Sequence, residues 1–151
     1  MSTPSLTHTY FGSTLTAGSG LTEGANGGYA VLSQTISLTS NSGAAVSGSI
    51  NIPADSQIID IVIDTLTAPD AGAGTATTAP ITVGTAAAGT QYLSATDCFA
   101  AGRTALSFTA AQLTAMSDVN NNTSVFATVD PNGTILTTQG VWQVTVLYAM
   151  K

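Results

Sequence analysis

Beyond residue 28 the chain is organised by a period of two, the mark of strands that bury one face. In Tyr29–Thr39, Leu32, Gln34, Ile36 and Leu38 fall on one side, and Ser33, Thr35, Ser37 and Thr39 on the other. Val46–Ile52 reads as a second strand after the loop 40–45, and Pro53, Ala54 and Asp55 read as a turn. Gln57–Leu66 carries the strongest strand signal. Ile59, Ile61 and Ile63 predict a core-facing side, and Ile58, Asp60, Val62, Asp64 and Leu66 a mixed, partly solvated one. Ala79–Gly84 and Gln91–Ala95 predict short strands, and 97–107 reads as irregular. Thr109–Met116 is the one helical stretch, with Thr109 as N-cap and Leu113 and Met116 three apart on one face. Ser124–Val129 predicts a strand, and Asp130-Pro131-Asn132-Gly133 a hairpin turn returning along Thr134–Thr137. Val141–Tyr148 closes the series, with Trp142, Val144, Val146 and Tyr148 sharing a face.

Short strands separated by turn signals, with one short helix, predict an all-β protein: an antiparallel β-sandwich, jelly-roll-like, over residues 29–151. Residues 1–28 break the pattern. Glycine and serine recur there, and the apolar residues stand alone, which predicts an extended N-terminal arm. Leu6, Tyr10 and Phe11 are its candidate anchors on a partner surface.

Charge changes the picture more than size does. The chain has 151 residues, of which only 7% are charged, and a net charge of −6. Arg103 and Lys151 are its only basic residues apart from His8. Nucleic acid requires Lys and Arg to neutralise phosphates, so neither nucleic acid nor an anionic membrane is an expected partner. Wide neutral Thr, Ser and Ala surfaces suit burial against protein, where charge is depleted. The single cysteine, Cys98, excludes an internal disulfide and reads as a small buried hydrophobe. The first thirty residues lack a basic segment followed by an apolar one, and no apolar run reaches membrane-spanning length, so synthesis in a cytosol is expected.

The residues that carry enzyme chemistry are almost missing. His8 is the only histidine and lies in the arm, a poor place to hold a serine and an aspartate in register. One His and one Cys do not make a zinc site. The loop carboxylates Asp70 and Asp118 have no EF-hand spacing. Asp60 and Asp64 lie roughly 13 Å apart along a strand, too far for a glycosidase pair. No catalytic residue, metal or cofactor is therefore expected, and the protein reads as a non-enzyme. Asp60 and Asp64 are instead candidate subunit contacts. Arg103 is a candidate for an ion pair with Asp97 or Asp118, or for a partner contact.

Residues 32–147 resemble a family: the small head decoration, or cement, proteins of tailed bacteriophages. The resemblance is carried by Ser33–Ser40, by 51–69 (NIPADSQIIDIVIDTLTAP), by 98–113 (CFAAGRTALSFTAAQL) and by 140–149 (GVWQVTVLYA). It implies a β-sandwich that assembles, commonly as a homotrimer, on the outer surface of a virion made in a bacterial cytoplasm. There it would bind the major capsid protein and stabilise the shell. The alternative is a receptor- or glycan-binding module of a phage tail, fibre or head spike, which predicts exposed aromatics such as Tyr92 or Trp142.

Overall fold

The computed structural model describes residues 7–10, 13–16, 31–69, 74–135 and 138–150. Two strands, β1 (Thr7–Tyr10) and β2 (Ser13–Thr16), pair antiparallel in a small sheet of their own. The arm thus contains a hairpin where no regular element was expected, in keeping with the strand preference of its β-branched threonines. The side chains of Tyr10 and His8, and the whole of Leu6 and Phe11, lie outside the described residues.

Eight further strands make the body: β3 (Val31–Ser40), β4 (Val46–Asn51), β5 (Gln57–Thr67), β6 (Pro80–Gly84), β7 (Leu93–Asp97), β8 (Gly102–Thr104), β9 (Ser124–Val129) and β10 (Gly140–Ala149). One helix, α1 (Ala110–Ser117), lies between β8 and β9. The strands form two four-stranded antiparallel sheets, a first of order β3-β10-β5-β8 and a second of order β4-β9-β6-β7. Their pairings are nested: β6 with β7, β5 with β8, β4 with β9 and β3 with β10. A long antiparallel hairpin folded over on itself gives this order, which is that of a jelly roll.

The inner faces supply the core. Ile36 and Leu38 of β3, Ile61 and Ile63 of β5, and Trp142, Val144 and Val146 of β10 meet Ile81, Val83, Val125 and Val129 of the second sheet. Gln34, one of two polar residues on the inner side of β3 with Ser40, donates from Nε2 to the Asn51 carbonyl (2.8 Å) and the Tyr148 hydroxyl (2.9 Å). It thereby ties the edge strand of the first sheet to that of the second. Gly48 of β4 permits this closeness, since a Cβ there would stand 2.6 Å from Cγ2 of Ile36. On the opposite side the Cys98 carbonyl accepts from Thr65 Oγ1 and Trp142 Nε1, both at 2.8 Å. Two strands of the first sheet are so bound to the segment that links β7 to β8.

Four expectations are corrected. In β5 the residue facing the core is Ile58, 2% exposed, and Ile59 is 46% exposed. The ladder skips Ile59, because Leu147 pairs with Asp60 and Tyr148 with Ile58. This bulge reverses the inward side for the residues before it. A second irregularity skips Leu66, leaving it exposed. In α1 the inward residues are Gln112 and Met116, four apart, while Leu113 is exposed. The Thr109 cap forms as expected, as a capping box: Thr109 Oγ1 accepts from Gln112 N–H, and Gln112 Oε1 from Thr109 N–H. Gln112 Nε2 also donates to Ser94 Oγ and the Thr90 carbonyl, which docks the helix beside β7.

Within 97–107, read as irregular, Gly102–Thr104 pairs with β5 as β8. Finally, Asp130–Gly133 does not reverse the chain. Asp130 N–H donates to the Pro80 carbonyl and Asn132 N–H to the Thr78 carbonyl, so the segment keeps running beside the chain that leads into β6. Gly133 takes the positive φ of +105° that the sequence anticipates for a turn, but uses it where the backbone of Thr75 crosses closely.

Candidate interaction surface

The outer face of the first sheet is built from the positions that alternate with the core. Ser33, Thr35, Ser37 and Thr39 come from β3, Gln143, Thr145 and Leu147 from β10, and Asp60, Val62 and Asp64 from β5. β3 and β10 contribute no charge at all, and Thr35 and Thr145 share a hydroxyl–hydroxyl bond of 3.0 Å across them.

All charge on this face lies toward β5 and β8. Arg103 stands opposite Asp64 in the ladder and holds it with two bonds, Nε to Oδ1 at 2.9 Å and a terminal nitrogen to Oδ2 at 3.0 Å. The partner is neither of the two anticipated carboxylates. Asp97 accepts from the N–H groups of Ala79 and Phe99, and Asp118 from that of Asn120. The hydrogen bond from Arg103 holds the Asp64 carboxyl below its usual range and, reciprocally, raises the guanidinium. Asp60 Oδ1 accepts from the N–H of Ile61, the next residue along the strand (2.8 Å). Arg103, Asp60 and Asp64 thus gather on one side of one face, each with a bond inside the chain.

The aromatics named for a glycan platform are not exposed: Tyr92 is 1% and Trp142 0% exposed. Cys98 is buried, and burial pushes its thiol up. Among the described residues no three His, Cys, Asp or Glu side chains gather in a way that holds a metal. No helix there is long and apolar enough to cross a membrane.

The outer face of the second sheet is hollow. Thr82 of β6 and Thr128 of β9 are ladder partners and floor a depression of about 140 Å³, walled by Ala45, Ala88, Ala95 and Pro80 and bordered by Asp130. Thr128 Oγ1 lies 2.8 Å from Ser47 Oγ and accepts from the N–H of Ala88, also at 2.8 Å. That bond holds Ala88 at a φ of +58°, a conformation alanine disfavours. Thr82 Oγ1 is buried without a hydrogen-bond partner. Nothing in the sequence marks this feature, because its residues come from five separate segments and are mostly Ala and Thr. No protein-family model, curated protein or solved structure matches the chain.

Proposed function

We propose that the protein is a structural component of a bacteriophage virion, a decoration protein that binds the outer capsid surface as a homotrimer and stabilises the shell. The observation that carries this reading is the uncharged Ser/Thr face of β3 and β10 on a chain that is otherwise acidic. A neutral face of this kind is suited to burial against protein. The jelly roll adds support by analogy of fold alone, being common among viral capsid proteins and lectins. The glycan-binding alternative has lost the two aromatics it named, both of which lie in the core.

The mechanism is linkage. A protein that binds the assembled shell but not separated capsid subunits shifts the balance toward the shell. The arm, residues 1–28, is assigned to the capsid or to a neighbouring subunit. The test is co-sedimentation of the purified chain with undecorated capsids, followed by heat challenge of the particles, together with the native mass of the free chain. Binding that raises the temperature of capsid rupture is expected. Failure of the full chain to bind would overturn the proposal, and unchanged binding after deletion of residues 2–26 would remove the arm's role.

A further inference from the structure

We propose that the free edge of β3 receives a strand of the β1–β2 hairpin from a second copy of this chain. The inference rests on the reading of the arm as a segment that orders on a neighbouring subunit, and it names the surface that takes it. An unpaired row of N–H and C=O groups at a sheet edge is a template for a further strand. β3 pairs with β10 on one side and with no strand on the other. In an antiparallel ladder, alternate residues turn both backbone groups away from the partner. Among the described residues, no backbone group of a loop or turn bonds to those of Val31–Ser40. The usual protections of an edge are also missing. β3 is ten residues long, its register with β10 is unbroken, and it contains neither charge nor proline. The three other edges of the body are shorter: β8 has three residues, β7 five and β4 six.

The occupant follows from the hairpin. β1 and β2 have four residues each and form a sheet apart from the two of the body. A two-stranded hairpin is marginally stable at best in water, and a third strand supplies what it lacks. Its strands, THTY and STLT, contain no carboxylate, Lys or Arg, and so match an uncharged edge. One contact therefore completes both the hairpin and the edge. Pairing β3 with the β3 of another copy would fill the edge and leave both hairpins alone. Within one chain the hairpin and β3 do not pair, although residues 17–30 join them, and this places the donor on another copy. Those residues reach up to about 50 Å when extended, more than the roughly 35 Å across a body of this size. Each copy then gives one strand and takes one, a head-to-tail arrangement that closes into a ring, a trimer included.

The test is hydrogen exchange of the β3 amides, followed by NMR in the full chain and in a variant lacking residues 2–26, together with the native mass of each. In the full chain every amide from Leu32 to Thr39 is expected to be protected, and the mass to be that of an oligomer. In the variant alternate amides of that stretch should exchange about ten-fold faster or more, and the mass should fall to that of a monomer. The amides of β5 and β10, the two central strands of the first sheet, should stay protected in both and so report that the body is folded. Mixing isotope-labelled variant with unlabelled full chain identifies the donor: a strand given by another copy restores protection to the labelled β3. Alternate protection already present in the full chain would overturn the proposal. So would full protection in the variant, the result of β3 pairing with another β3, and so would a mixture without restored protection, the result of a strand given by the same chain. No capsid is involved, so failure here is distinct from failure to decorate one.

Discussion

On the first sheet, the carboxylates of β5 are engaged where they stand, Asp64 by Arg103 across the ladder and Asp60 by the next N–H along the strand. On the second, Thr82 Oγ1 is buried and Asp130 exposed, neither with a side-chain partner among the described residues, beside an alanine held in a disfavoured conformation. Strand length separates the two. β3, β5 and β10 run ten or eleven residues, so each outer side chain has cross-strand neighbours. The strands of the second sheet run five or six, and the segments around Ala45 and Ala88 rise beside them and leave a hollow. A face completed by its own ladder presents a uniform surface for broad contact. A face completed by loops leaves specific groups unfilled.

The contrast is tested most severely within β5. Ile58→Ala should cost about 2–5 kcal/mol in denaturant unfolding, as for a core isoleucine, and Ile59→Ala within about 0.5 kcal/mol. Equal losses would mean that the bulge does not turn Ile59 outward. A smaller effect is expected between the faces. Thr128→Val removes the acceptor of the Ala88 N–H and should lower stability by about 1 kcal/mol, whereas Thr35→Val, on the solvated face of the first sheet, should stay within about 0.5 kcal/mol. Reversal of that order would undo the distinction between the two surfaces.

The smallest effect is a titration. The Asp64 carboxyl is lowered in the folded chain, so the stabilisation it gives is present above the ordinary aspartate value of about 3.9 and is lost as pH falls through the lowered one. In Arg103→Gln the Asp64 midpoint, followed by carboxyl NMR, should return upward to the ordinary range. An unmoved midpoint would show that Arg103 does not hold Asp64 in solution.

The elements that were legible are those whose signal is local. Ser124–Val129 has the predicted bounds because a polar loop precedes it and Asp130-Pro131 follows it, and α1 begins where Thr109 and Gln112 cap it. The sandwich itself followed from counting such stretches. Single-residue events were not legible: the skipped Ile59 leaves the composition of β5 unchanged and reverses which isoleucine is buried. Nor were long-range pairings. Gly102–Thr104 has no strand pattern of its own and is a strand because β5 lies beside it, with Arg103 opposite an aspartate 39 residues away in sequence. Asp130–Gly133 carries the chemistry of a turn, and the neighbouring backbone of 75–80 overrides it. The sequence marked Asp60, Asp64 and Arg103 as candidate contacts, and they gather on one face. It left Thr82, Ala88 and Asp130 unmarked, since a hollow assembled from five segments has no linear pattern.

The nested pairing also sets an order of completion during synthesis. All four strands of the second sheet have left the ribosome once residue 129 has emerged. The first sheet at that moment has only β5 and its three-residue neighbour β8, while β3 has no strand to join. Both wait for Gly140–Ala149, which enters between them and brings Trp142 to the Cys98 carbonyl. A nascent chain therefore carries one finished layer with its apolar side open until its last strand is released. Truncation just before Gly140 would leave that state permanent, and open apolar sheets of this kind aggregate.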